Sequence, residues 1–303
     1  MNISQLVGNT PIIKLQSLTK NLYADVYVKL EFLNPWGSIK DRAAKSMIDA
    51  AIADGSIQRN TTIVEATTGN TGISLAGICA SMGLPLIIVM PEYVTEERKK
   101  LLELLGAQIE LTPAELNYQG AVSRAIELAS QENYFLVDQG NNQNNPLAHV
   151  QTAREIIDFF DGTPDIFIAG VGTGGHCNGI GNTLKQHNQQ TKVIAIEPKG
   201  AAVLSGQTSF SEVNSNHGVL GIGPGIIAKT VDREVIDEVY VIEGDDAITM
   251  TRKVISEEGL LLGISSGASI HCALELAARK ENAGKKILTI AASQTERYLS
   301  TGI

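Results

Sequence analysis

The 303-residue chain is short of cysteine, aromatic residues and positive charge, and the shortages exclude whole classes of function. Its three cysteines, Cys79, Cys177 and Cys272, are scattered without CxxC spacing. Neither a disulfide framework nor a zinc site is expected, and a reducing cytoplasm fits. Lys and Arg number 24 against 33 Asp and Glu, a net charge of −9 that a nucleic-acid backbone or an anionic membrane would repel. No apolar run approaches the ~20 residues of a membrane span. Residues 1–11 lack the basic-then-apolar order of a secretion signal. No nucleic-acid or membrane partner is therefore expected. His149, His217 and His271 have no metal-ligand spacing and are read as loop or surface residues, so no metal is expected either.

What is present is an α/β rhythm. Short β-branched runs, Asp25–Glu31, Thr62–Ala66, Leu86–Met90, Ile109–Leu111, Tyr134–Val137, Asp165–Ala169, Lys192–Ile196, Val239–Ile242 and Ile287–Ile290, read as strands. Helical stretches separate them. Ser38–Asp54 carries an apolar stripe, Gly72–Met82 is small and apolar, and Thr95 opens a helix with Glu96 and Glu97 in its first turn and Gly106 beyond its end. Nearly continuous apolar strands between helices imply parallel sheets covered on both faces. Two segments break the pattern, the Asn-rich Gln139–Pro146 and a Gly/Ser/Asn-rich stretch from about Gly200 to Ala228. Loops of this kind in α/β proteins tend to carry function. The composition changes near residue 146, which marks a domain boundary.

Four segments carry candidate chemistry. In Asn34–Arg42, Ser38 and Asp41 resemble a capping box, which puts Lys40 in the first turn of a helix. The helix dipole there disfavours the ammonium form, so Lys40 is either a neutral amine nucleophile or an ordinary surface lysine. Thr67-Thr68-Gly69-Asn70-Thr71-Gly72 follows a strand and precedes a helix. It is either a cradle of N–H and hydroxyl groups for a carboxylate or an ordinary βα turn. Gly170, Gly172 and Gly175 satisfy G-x-G-x-x-G, with Glu197 closing the following strand roughly twenty residues on, which is the dinucleotide fingerprint. The same geometry cradles the phosphate of a smaller cofactor. In Gly263–Ala268 a serine caps a helix or meets a ring nitrogen.

The order of these segments resembles the cysteine synthase / cystathionine β-synthase family, pyridoxal-phosphate (PLP) enzymes of fold type II, the tryptophan-synthase β fold. The resemblance runs from Val7-Gly8-Asn9-Thr10-Pro11 to Glu296-Arg297-Tyr298-Leu299-Ser300-Thr301. A dinucleotide reading, by contrast, leaves Lys40 and Asn70 unused. The resemblance implies a smaller mobile domain of residues 1–12 and 35–146 and a larger one of residues 13–34 and 147–303. Lys40 would hold PLP covalently and move the substrate Cα proton. Asn70 would bond the cofactor's 3′-oxygen, and Ser265 would be a neutral partner for its pyridine nitrogen. Gly172, Thr173, Gly174, Gly175 and His176 would cradle its phosphate. Thr67, Thr68, Gly69, Thr71 and Gln139 would bind the substrate α-carboxylate, and Gly221-Ile222-Gly223 would lie beside its amine. The implied activity is β-replacement on an activated L-serine by a homodimer, with cysteine synthesis from O-acetylserine and sulfide as the leading reading. Condensation with a larger thiol, another specialised β-substitution, net β-elimination of cysteine or serine, and an inert binding paralogue are the alternatives.

The chain departs from the family pattern at several points. Gly140 follows Gln139 where phenylalanine is usual, widening the side where a nucleophile enters. His176 replaces the usual threonine of the phosphate loop, with a charge expected to depend on pH. Trp36 replaces a small residue and is expected either to fill the space left at Gly140 or to line the substrate pocket. The usual P-D-S-G-E-R-Y reads Ala292-Ser293-Gln294-Thr295-Glu296-Arg297-Tyr298.

Overall fold

In the computed structural model, residues 2–214, 216–301 and 303 are described, except for the Thr301 side chain. The first half runs β1 (Ile12–Lys14), β2 (Asp25–Lys29), α1 (Lys40–Ala53), β3 (Thr62–Ala66), α2 (Asn70–Met82), β4 (Leu86–Pro91), α3 (Glu96–Leu104), β5 (Gln108–Thr112), α4 (Asn117–Ala129) and β6 (Tyr134–Leu136). The second half runs α5 (Asn144–Leu147), α6 (His149–Phe160), β7 (Ile166–Gly170), α7 (Gly175–His187), β8 (Lys192–Pro198), β9 (Glu238–Ile242), α8 (Gly244–Glu258), α9 (Ile264–Ala277) and β10 (Lys286–Ile290). One sheet, β5-β4-β3-β6, is parallel throughout. The other, β1-β2-β10-β7-β8-β9, is parallel except for the antiparallel pair β1/β2 at its edge.

The side-chain alternation explains why both faces of the smaller sheet are covered. Ile63, Ile88 and Met90 point to α1 and α2, where they pack with Met47, Ile48, Ile73 and Ile78. Val64, Ala66, Ile87 and Val89 point the other way, onto Ala121, Ala125 and Leu128 of α4. β4 is accordingly buried at every position. The long segment after β8 contains only short 3-10 turns until β9, in keeping with its composition. β1 was not anticipated, because three residues are too few to show a period of two.

In both sheets the site lies where the strand order reverses. From β3 the chain steps through α2 to β4 on one side, while β6 lies on the other; from β7 it steps through α7 to β8, while β10 lies opposite. In open α/β sheets, ligands bind beyond the carboxyl ends of the strands at such points. The segments leaving β3, β7 and β10 are Thr67–Asn70, Val171–Gly174 and Ala291–Ser293.

A buried ion cluster fixes α1 against the larger sheet. The Arg42 guanidinium spans Glu31 (2.7 and 2.8 Å) and Glu155 of α6 (2.8 and 2.7 Å). Lys29 lies 2.7 Å from Glu155 and donates to the Thr10 carbonyl at 2.9 Å. Among the described residues, no helix is long and apolar enough to cross a membrane, and no group of three His, Cys, Asp or Glu could hold a metal.

Candidate active site

One cavity gathers seven of the sixteen expected site residues; Thr67, Thr68, Gly69, Thr71, Gln139, Thr173, Gly174, Gly175 and Gly223 do not line it. Lys40, Asn70, Gly172, His176, Gly221, Ile222 and Ser265 line it, together with the ends of β7 and β10 at Gly170, Ile290, Ala292 and Ser293. Residues far apart in sequence meet here because the reversal points of the two sheets face one another.

Lys40 opens α1, but the capping box expected of Ser38 and Asp41 does not form. Ile39 occupies the cap position, and the Ser38 hydroxyl accepts from the Lys40 N–H at 3.2 Å. Asp41 turns instead to the Trp36 N–H (2.7 Å) and to the Ser74 hydroxyl of α2. Burial pushes the Lys40 amine down to about 8. The cause is desolvation of the ammonium rather than the helix end.

The Gly172–Gly175 loop is closed to side chains. A Cβ at Gly174 would sit 2.6 Å from Val231, and one at Gly175 would sit 2.1 Å from the Asn145 Oδ1. Gly174 also has φ +79°, which favours glycine. The first four backbone N–H groups at the start of α7 have no partner within the helix. Thr173 accepts from Asn145 Nδ2 at 3.0 Å. His176 is 8 % exposed, and burial, helped by the Lys40 charge, pushes its imidazole down to about 3. Its ring lies edge-on to His149, 6.1 Å away, which is itself buried and contacts Thr152 Oγ1 at 3.2 Å. The loop or surface reading of His149 therefore fails, since it is buried at the start of α6, whereas His217 does lie in a loop, half-buried, with its Nε2 3.1 Å from the Gly223 carbonyl. Glu197 accepts from the Leu204 and Ser205 N–H groups (2.9 and 2.7 Å), which gives the supposed ribose ligand a structural task.

Residues 3–293 match the family described as pyridoxal-phosphate dependent enzyme. The chain belongs to this family. It is 43% identical over 302 residues to a cysteine synthase of Staphylococcus aureus, covering 99% of this chain and 96% of the relative. Its fold is that of a cysteine synthase from Entamoeba histolytica, with TM-score 0.95, 37% identity, and 99% and 89% of the two chains covered. An O-ureido-L-serine synthase is also similar, with TM-score 0.93, 36% identity and 99% and 93% covered. The architecture is thus fold type II.

As a PLP-dependent enzyme the chain needs a place for an aldehyde, a ring and a phosphate. The cavity suits all three: an amine with a lowered pKa, neutral side chains at Asn70 and Ser265, and a glycine loop at a helix start. Thr67, Thr68 and Gly69 lie on the β3–α2 turn, and Thr71 lies in the first turn of α2. Thr67 Oγ1 accepts from the Gly69 N–H (3.2 Å), the Thr68 carbonyl from Arg98 (3.2 Å), and Thr71 donates to Gln139 Oε1 at 2.7 Å. Gly221 and Ile222 line the cavity, whereas Gly223 lies in a neighbouring crevice with its N–H on the Val171 carbonyl.

Trp36 does not approach Gly140. Its indole packs over Gly77 of α2, where an added Cβ would meet Nε1 at 2.0 Å. Gly140 faces Ala228, 3.7 Å from where its Cβ would be. Three participants were not anticipated. Arg297 donates to Asn70 Oδ1 at 2.5 Å and to the Trp36 carbonyl. The Tyr298 hydroxyl meets Asn70 Nδ2 (3.3 Å) and Ser293 (3.0 Å). Glu65 lies buried behind Gln139. Arg297 and Tyr298 belonged to the quoted C-terminal motif, and Glu65 was a lone charge in an apolar strand; neither signal told what they would touch.

Proposed function

We propose that the chain is a cysteine synthase, converting O-acetyl-L-serine and sulfide to L-cysteine and acetate by β-replacement. The full-length likeness to the Staphylococcus enzyme carries the substrate, and the gathering of Lys40, Asn70, Gly172 and Ser265 around one cavity supports the reaction class. Bound PLP withdraws electrons from the substrate Cα and makes its proton acidic. Lys40 holds the cofactor and then takes the Cα proton at Nζ, a transfer that suits an amine with a pKa near the working pH. Thr67, Thr68, the Gly69 N–H, Thr71 and Gln139 receive the α-carboxylate, and Gly221-Ile222-Gly223 borders the amine. Asn70 orients the ring through its 3′-oxygen. Its Oδ1 is occupied by Arg297, so its amide N–H groups are the ones left to donate. Gly172–Gly175 and His176 hold the phosphate. Residues 1–12 and 35–146 form a smaller domain that closes on the substrate and excludes water, over a larger one of residues 13–34 and 147–303. The working form is a cytoplasmic homodimer.

The PLP-loaded protein, given O-acetyl-L-serine and sulfide, should release acetate and L-cysteine in equal amounts, and Lys40→Ala should abolish both. Pyruvate in place of cysteine would mean net elimination. Product formation only with a larger thiol would mean a condensing enzyme of the cystathionine type. The room left at Gly140 is the observation that favours this second reading.

A further inference from the structure

Glu65 is an unusual residue for its position. It is the fourth residue of β3, 2 % exposed, and its neighbour on β4 is Ile88. One Glu65 oxygen accepts from the Asp138 N–H at 2.8 Å, and the backbone and side-chain amides of Gln139 also face the carboxyl. Gln139 in turn accepts from Thr71 at 2.7 Å, and both are buried. Glu65, Gln139 and Thr71 thus form a continuous chain, two of whose members are assigned above to the substrate α-carboxylate.

Among the described residues, no cation balances Glu65. The turn after β6 presents the Asp138 carboxylate and α4 the Tyr118 hydroxyl, which donates to the Ala66 carbonyl at 3.0 Å. α1 and α2 present apolar side chains to this face of β3. Asp41 of α1 is turned to Ser74 and Trp36. Burial, helped by the Asp138 charge, pushes the Glu65 carboxyl up to about 8 against the N–H donors around it.

We propose that Glu65 is a positioning residue for the substrate α-carboxylate: neutral, it leaves the Gln139 amide and Thr71 hydroxyl for the substrate, and ionised, it holds the Gln139 N–H and repels the incoming anion. The proposal rests on the assignment of Thr67–Thr71 and Gln139 as the carboxylate site. Substrate binding then favours the protonated enzyme, and affinity for any amino acid falls once Glu65 ionises.

The test is a titration of the PLP-loaded protein with L-alanine, which has the amine and carboxylate but no group to lose from Cβ. Binding is read from the cofactor's visible absorption between pH 6.5 and 9.5, in wild type and Glu65→Gln. The substrate amine titrates identically in both, so the ratio of dissociation constants isolates Glu65. With its carboxyl at about 8, the wild type should weaken relative to the variant about tenfold by pH 9, with little difference below pH 7. L-alaninamide, lacking the carboxylate, should show no such divergence. A ratio flat with pH would overturn the proposal. If Glu65→Gln fails to fold, the divergence between L-alanine and L-alaninamide in the wild type, each dissociation constant first corrected for the titration of that ligand's own amine, carries the same test. Gln139→Ala and Thr71→Val separate the two levels of the argument. Unchanged L-alanine affinity in both variants refutes the site assignment, whereas weakened affinity with a flat Glu65 ratio refutes only the role of Glu65.

Discussion

Replacing Arg42 with methionine isolates the buried ion cluster. The methionine fills much of the arginine stem's volume but strips both carboxylates of their guanidinium. Glu31 is fully buried and would keep the Thr10 hydroxyl and the Asn34 amide (2.7 and 2.8 Å) but, as a cation, only Lys29, whose Nζ is 3.9 Å away; Glu155 would keep Lys29 at 2.7 Å. Lys29 and Arg42 balance Glu31 and Glu155 in the native protein, so the variant buries one uncompensated negative charge. Removing one partner of a buried pair costs about 3–5 kcal/mol, a large share of the 5–15 kcal/mol that is typical of whole domains. Urea unfolding followed by circular dichroism should show that loss as a lower midpoint with an unchanged slope. Glu31→Gln in the Arg42→Met background should recover part of it, because it removes the orphaned charge. A loss below about 1 kcal/mol, or strictly additive effects in the double variant, would refute the view that these four residues act as one unit. The cluster is also acid-sensitive. Despite burial, the guanidinium and Lys29 hold the Glu155 carboxyl below its ordinary value, so its contribution is present above the usual carboxylate range and is lost as pH falls below it.

Three further outcomes follow from the site. Cofactor uptake by PLP-free protein should accelerate as pH rises to about 8 and then level off, because the Lys40 amine becomes neutral there; a profile still climbing steeply towards 10.5 would show that Lys40 is not desolvated. Gly77→Val should cost about 1–3 kcal/mol through overpacking against the indole. Trp36→Leu should relieve part of that cost in thermal melting, and failure to do so would place the clash elsewhere. Tyr298→Phe removes hydroxyl contacts to Asn70 and Ser293. Each such bond is worth about 1 kcal/mol, so cofactor dissociation should rise severalfold in a spectrophotometric titration, and no change would assign the hydroxyl a purely structural place.

The strands were the most legible part of the chain because burial on both faces writes them as short apolar runs. Thr62–Ala66 was read with the bounds it has, and Leu86–Met90 falls one residue short of β4. Helix starts were legible too, but their caps were not. Thr95 opens α3 as expected, yet its hydroxyl makes no cap bond. Ser38 and Asp41 are drawn to other partners, one to the Lys40 N–H and the other across to α2. The residues that line the cavity beside Lys40 were legible as motifs, since glycine loops and hydroxyl-rich turns follow strands at fixed offsets. Packing partners were not legible. Trp36 settles on Gly77, and His149 on Thr152 and His176, because tertiary closure brings them together. Glu65 shows the limit best. A charge in the middle of T-I-V-E-A breaks the apolar pattern, but only the folded chain shows which amides it meets.

Trp36 is the sole tryptophan of the chain, and it sits at a junction. Its ring rests on α2, its N–H is held by Asp41, and its carbonyl by Arg297 from the C-terminal motif. Light absorbed at the red edge of the protein spectrum is therefore emitted from one place. Movement of α2 away from Arg297 would change the surroundings of that single indole. The protein thus contains a single fluorescent reporter at the junction of α2 and the C-terminal motif, with no label attached.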